Sequence, residues 1–405
     1  MQRFRHFVAP VLLLLAACAA KPESPPAGPA PQSGAIPEIH DETEQPVPVT
    51  VLPVEPESAA RHGAVTIAAA GDVTLGNHFK VFDPELKQKR GLTGDDILDY
   101  PFLHVRKWFR EADIAIVNYE GTFTTSTEKT VKNFTFKADP HEVDKLKRAG
   151  IDVVSLANNH ASDFGETGLR DTARTLDQAG ILHFGAGENL AAARRPARLE
   201  ANGLGVCFTG YLYLGLHSIE PDVVWAGEAK SGVAGVPSYE GNEADMAAML
   251  TEDLAAMGNR RDCDFRVVFF HWGREGTHEL MPYQRELATI AVQHGADAVL
   301  GAHPHVLQAV EYLEGPAGLV PVIYSMGNFV FAGNWNPKRK DSVIALLLLE
   351  ITPEGRRRTM EFVPVYSDRY PEFPFQPWPQ APEKAEKTVQ RMLCWAQAAT
   401  VEECE

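Results

Sequence analysis

Short apolar runs alternate along this chain with stretches in which apolar residues recur every three or four positions. Residues 65–70, 113–119, 152–157, 265–270, 297–300 and 320–324 are β-rich runs followed by turn residues, the pattern of buried strands. Helical spacing covers 101–110, 140–149, 166–179, 243–257 and 282–294. Gly150, Gly180 and Gly295 follow three of these stretches, where a glycine closes the last helical turn. Such alternation predicts an α/β fold. Residues 342–351 and 359–366 are strand-like with no helix between them and predict a sheet edge or second layer. The chain then turns proline- and aromatic-rich, and a last helix is predicted around 382–398.

The first residues follow a different pattern. Arg3 and Arg5 precede an apolar stretch, 7–17, that is shorter than the roughly 20 residues a membrane span requires. This predicts an export signal over 1–17. Its end, Leu15-Ala16-Ala17-Cys18, resembles the bacterial lipobox, which implies that Cys18 is lipidated and begins the mature chain. Residues 18–60 are rich in Pro, Ala, Glu and Ser. With few large apolar side chains they cannot offset their ordering entropy, and they predict a disordered tether. A folded domain is expected over 61–368 and a C-terminal extension with its helix over 369–405. The expected location is the bacterial cell envelope, with the chain lipid-anchored to a membrane. Ala19, where an Asp often signals inner-membrane retention, points to the outer membrane if the host has one.

Composition narrows the classes. With 44% apolar and 23% charged residues, wholesale disorder is excluded. The formal charge is −16, and loss of residues 1–17 removes two arginines and no acid, giving −18. No broad basic face is available for nucleic acid. Besides Cys18 there are Cys207, Cys263, Cys394 and Cys404, an even number that permits disulfides in an exported protein. Cys394 and Cys404 are close enough to staple the tail, and Cys207 sits in an apolar run as a buried thiol would.

The chemistry gathers where the strand-like runs end. Asp72, Glu120, Asn158-Asn159-His160, His271, His303-Pro304-His305 and Asn328 each follow such a run, mostly beside glycine. Open α/β sheets bind ligands beyond the carboxyl ends of their strands, and oxygen with imidazole donors suits Zn, Mn or Fe. Arg274 and Glu275 follow the His-Trp-Gly turn as substrate-contact candidates, and Asn328 is a third. The runs Arg194-Arg195 and Arg356-Arg357-Arg358 are candidate cationic patches.

The motifs 70–76 (Ala-Gly-Asp-Val-Thr-Leu-Gly), 117–121 (Val-Asn-Tyr-Glu-Gly), 155–163 (Ser-Leu-Ala-Asn-Asn-His-Ala-Ser-Asp), 270–275 (Phe-His-Trp-Gly-Arg-Glu), 301–306 (Gly-Ala-His-Pro-His-Val) and 325–331 (Ser-Met-Gly-Asn-Phe-Val-Phe) resemble, in this order, the CapA family of poly-γ-glutamate capsule biosynthesis proteins. That family is similar to the calcineurin-like metallophosphoesterases. The resemblance implies two central β-sheets flanked by helices and one or two divalent ions held by Asp72, Glu120, Asn159, His271, His303 and His305. It also implies that His160 assists catalysis and that Asp72 orients the nucleophile or a second ion. Where that superfamily has a His two residues after the first Asp, this chain has Thr74, so one metal position loses a nitrogen ligand; His78 lies further on. Two functions follow as expectations. One is a metal-dependent hydrolase acting on a phosphoester or an amide-linked polymer. The other is a non-catalytic component that binds or exports an anionic polymer alongside capsule-assembly proteins.

Overall fold

The computed structural model describes residues 62–76, 91–214, 225–237, 242–331, 340–367 and 375–404. All belong to one compact unit, Ser58–Glu405. The signal (1–17), Cys18 with the whole tether (18–60), and His78 lie outside the described residues.

Strands are β1 (Gly63–Val73), β2 (Ile114–Tyr119), the short pair β3 (Thr122–Phe123) and β4 (Lys137–Ala138), β5 (Val153–Ser155) and β6 (Leu182–Phe184). There follow β7 (Ala186–Gly187), β8 (Ala197–Ala201), β9 (Leu204–Tyr213), β10 (Gly232–Val233), β11 (Phe265–Trp272) and β12 (Ala298–Ala302). The last are β13 (Val310–Gly315), β14 (Gly318–Ile323), β15 (Asn328–Val330), β16 (Asp341–Thr352), β17 (Gly355–Tyr366) and β18 (Trp378–Pro379). One sheet runs β18-β17-β16-β1-β2-β5-β6, with β15 also paired to β1. The other runs β13-β14-β12-β11-β9-β8. Within them β1, β2, β5 and β6 are parallel, as are β9, β11, β12 and β14.

Period-two alternation explains the layering. Ile67, Ala69, Ile114, Ile116 and Val153 join one core with Val206, Phe208, Phe265 and Val299 of the other sheet. Their neighbours Ala68, Ala70, Ala115, Val117 and Val154 join a second core with Phe109, Leu146, Leu169 and Leu176 from helices Arg106–Glu111, Val143–Ala149 and Gly165–Ala179. Helices Glu243–Gly258 and Pro282–Gln293 pack Met246, Leu250 and Leu287 against the second sheet. Two central sheets flanked by helices are therefore present, as the family resemblance implies. The strand pair predicted without an intervening helix is the antiparallel β16–β17, next to β1.

Sequence periodicity overlooked β8 and β13, which are half-buried strands; the apolar run around Cys207 is the strand β9, which is buried throughout. The predicted helix over 101–110 is in fact a 3-10 turn, Tyr100–Phe102, followed by Arg106–Glu111, because Pro101 suits only a first helical position. Cys394–Cys404 is bonded as predicted. Cys207 is not a lone buried thiol: it is bonded to Cys263. The register explains this, since Cys207 lies opposite Arg266 on β11 and Cys263 stands just before that strand. The C-terminal helix, Pro382–Trp395, places Met392 and Trp395 in the inter-sheet core, and Arg391 pairs with Asp341 at 3.0 Å.

Candidate metal centre

Both sets of parallel strands deliver polar residues to one place. Asp72, next to last in β1, lies opposite Asn118 of β2 and Asn328 of β15. A Cβ on Gly71 would lie 2.0 Å from the Gly327 carbonyl, so only glycine lets β1 come this close to the 325–328 turn. Glu120 follows β2, Asn159 follows β5, His271 is on β11 and His303 follows β12. All of these side chains are buried.

The groups touch one another. His271 Nε2 is 2.9 Å from Asn159 Oδ1, 3.1 Å from His303 Nδ1 and 3.8 Å from Glu120 Oε1. Asn118 Nδ2 donates to Asp72 Oδ1 at 2.8 Å and lies 3.3 Å from His271 Nδ1. The His303 backbone N–H donates to Asp72 Oδ2 at 3.3 Å. His305 Nδ1 is 2.7 Å from Asn328 Oδ1 and 3.3 Å from Asp72 Oδ2. The structure therefore brings all six predicted ligands together. It sets Asn328 against His305, as the partner that orients that ring.

Burial, with His303 and His305 nearby, holds the His271 ring neutral far below the usual imidazole range. Burial, then the neighbouring His305, pushes His303 down to about 3. Burial also pulls on His305, but Glu120, Asp72 and Glu275 outweigh it and lift that ring to about 10. His303 Nε2 and Asn159 Nδ2 are buried with no hydrogen-bond partner among the described residues. An imidazole nitrogen left bare in the interior is costly, and for His303 Nε2 a cation is a suitable partner beside these carboxylates; Asn159 Nδ2, an amide donor, calls for an acceptor instead. Asp72, Glu120 and His305 offer ligand atoms within 4.8 Å of one another, as do Glu275, His303 and His305. The donor set fits one or two divalent ions.

His160 stands at the edge of this cluster. Its Nδ1 donates to Asp163 Oδ2 at 2.8 Å, and its Nε2 is 3.8 Å from Glu120 Oε1. Asp163 is fully buried; it also accepts from the Phe136 backbone at 2.6 Å and pairs with Lys132 at 2.9 Å. Lys132 donates as well to the Asn159 carbonyl at 2.8 Å, so a single ammonium grips the backbone of one candidate ligand and the partner of His160. Sequence reading missed Asn118, Asp163 and Lys132. Asp163 could have been found, three residues past His160 within one motif; Lys132 sits in a polar loop and gives no such signal.

Arg274 is exposed and forms no ion pair among the described residues. Glu275 is exposed too, with Oε1 4.0 Å from His305 Nε2. The arginine runs do not form cationic patches. Arg194 pairs with Asp253 and Glu252, Arg357 with Glu350, and Arg356 and Arg358 converge on the buried Asp297. Arg195 is exposed at a cavity rim, and Arg357, though paired, is exposed as well. Cavities of about 570 Å³ beside Arg194 and about 400 Å³ beside His183 share no residue with this candidate site.

Fold and site together define a two-sheet α/β protein with a buried imidazole–carboxylate centre at the strand ends. The sequence profile described as "Bacterial capsule synthesis protein PGA_cap" matches residues 66–333, and the chain belongs to that family. It is 29% identical over 301 residues to a Bacillus anthracis protein named capsule biosynthesis protein CapA, covering 72% of this chain and 65% of that one. It is 28% identical over 290 residues to the PGA biosynthesis protein CapA of Bacillus subtilis, covering 71% and 68%. The chain thus spans about two thirds of the length of these relatives. Among solved structures, one described as a novel phosphatase, from Mycoplasma pneumoniae, aligns at 16% identity and a TM-score of 0.42, covering 75% of this chain and 94% of that one.

Proposed function

We propose that this protein is a cell-envelope lipoprotein of the CapA type that acts in the synthesis of poly-γ-glutamate or a related capsule polymer as a metal-dependent hydrolase. The observation that carries the hydrolase reading is His160. Its Nδ1 is anchored on Asp163 while its Nε2 faces the acid–imidazole cluster, the arrangement of a positioned proton donor. Glu120, Asn159, His271 and His303 would hold a cation, with Asp72 and His305 at a second position or orienting the nucleophile. A bound divalent ion supplies Lewis acidity toward a phosphoryl or carbonyl oxygen and acidifies water. The residues themselves exclude solvent, fix the neutral rings and deliver a proton to the leaving group from His160. Arg274, exposed next to Glu275, would contact an anionic substrate at the mouth. The lipid on Cys18 would hold the domain at a membrane, with residues 18–60 as the tether to polymer-assembly partners.

Thr74 in place of the second nitrogen ligand supports the alternative, a protein that binds or exports the polymer without turning it over. Purified full chain loaded with Mn²⁺ should hydrolyse bis-p-nitrophenyl phosphate or shorten poly-γ-glutamate, and His160→Ala and His303→Ala should abolish this. Bound metal with no turnover that His303→Ala removes favours the binding role.

A further inference from the structure

The loss of a ligand at Thr74 raises the question of what else reaches the cluster, and the answer lies on the turn after β11. Gly273 (φ 90°) and Gly276 (φ 73°) bracket Arg274 and Glu275 in a tight turn. The Gly276 N–H donates to the Pro304 carbonyl at 2.9 Å, which clips this turn to the residue between His303 and His305. Glu275 is thereby held over the two imidazoles. Its Oε1 is 4.0 Å from His305 Nε2, and the ligand atoms of Glu275, His303 and His305 lie within 4.8 Å of one another.

His305 stands between two groups. Its Nδ1 donates to Asn328 Oδ1 at 2.7 Å and lies 3.3 Å from Asp72 Oδ2, which leaves its Nε2, facing Glu275, as the ligand atom of the outer triad. His303 brings to the outer triad a buried Nε2 with no hydrogen-bond partner among the described residues. We propose that Glu275 is a metal ligand, which with His303 and His305 forms a second, outer cation position that replaces the one weakened by Thr74. This rests on the reading of the pocket as a cation site and adds to it a ligand that the superfamily pattern does not include. One carboxylate and two imidazoles suit Mn²⁺ or Zn²⁺. With Glu275 exposed, the outer ion is the more weakly held and the one able to meet an anionic substrate from solvent.

The test is metal stoichiometry and affinity, read without any substrate. Metal-free full chain, Glu275→Gln and Glu120→Gln are titrated with Mn²⁺ and separately with Zn²⁺ by calorimetry, and bound metal is counted by mass spectrometry after desalting. Glu275 is exposed, so its substitution leaves the fold intact, which circular dichroism checks. Wild type should take up two ions. Glu275→Gln should lose or weaken the weaker one at least tenfold and keep the tighter, while Glu120→Gln should affect the tighter. If Glu275→Gln binds two ions as wild type does, or if wild type binds a single ion lost only in Glu120→Gln, the outer position is overturned and the pocket's cation reading stands. If wild type binds no ion, both fall. A glutamate that only touches substrate would leave every metal readout unchanged.

Discussion

Lys132→Met tests the idea that an ammonium remote in sequence organises the site. The Lys132 side chain is only 6% exposed and its partner Asp163 is fully buried. Removing one member of a buried pair strands the other charge, at a cost of about 3–5 kcal/mol. Asp163 keeps its bonds from the Phe136 backbone and His160, which places the cost near the low end, about 3 kcal/mol. Lys132→Met/Asp163→Asn removes both charges and should cost less than the sum of the singles, with a coupling of about 2–3 kcal/mol. The assay is urea unfolding of the metal-free chain followed by tryptophan fluorescence, with all four proteins compared at equal slope. Single variants that each cost under about 1 kcal/mol and add without coupling would show that the pair is a solvated contact and refute its organising role.

Two further outcomes follow. The Cys207–Cys263 bond closes a loop with a sequence separation of 56, and its loss should cost about 4 kcal/mol on loop entropy, against about 3 kcal/mol for Cys394–Cys404 with a separation of 10. Urea midpoints of Cys207→Ala/Cys263→Ala and Cys394→Ala/Cys404→Ala should fall in that order. The metal-free protein should also be acid-sensitive. His271 and His303 stay neutral in the fold while their unfolded counterparts take up protons below about pH 6.5. A depressed folded value means stability present above 6.5 and lost progressively as pH falls towards the folded value, by about 1.4 kcal/mol per unit for each ring. His303→Ala should flatten that limb of the urea-midpoint curve, and an unchanged slope would contradict the assignment.

The fold was legible where periodicity was strong. Residues 166–179 and 282–294 carry their helical stripe in the sequence, and β2 ends at the expected place, while β1 and β11 run on through Asp72 and His271 to Val73 and Trp272. The candidate ligands were legible for the same reason, since a polar residue directly after a buried strand has few other roles. What escaped reading was tertiary. Cys207 and Cys263 meet only because β9 and β11 are parallel neighbours, a pairing no local pattern encodes. Lys132 reaches Asp163 across a loop, and Arg358, which looks like a solvated charge in sequence, is buried on Asp297. Charged residues carry no sequence mark that says which of them will fold inward.

The geometry of the Pro-hinged pair links stability to binding. His303 (φ 98°) and His305 (φ 59°) both have left-handed backbones, a conformation costing about 1–3 kcal/mol each, and His303 precedes a proline, which restricts it further. The turn persists because its surroundings over-determine it: Gly276 N–H holds the Pro304 carbonyl and the Ser325 hydroxyl donates to the Val306 carbonyl at 2.7 Å. A site that held its ligands in place for no partner would gain nothing from that strain. A cation that binds only the folded chain restores about 2.7 kcal/mol at a hundred times its Kd. Pro304→Ala keeps every ligand and frees His303 from the proline's restriction. It should leave metal-free stability equal or higher while reducing the rise in urea midpoint on adding Mn²⁺. An equal Mn²⁺-induced rise in both proteins would mean that the strained turn does not preorganise the site and that its backbone geometry is incidental to metal binding.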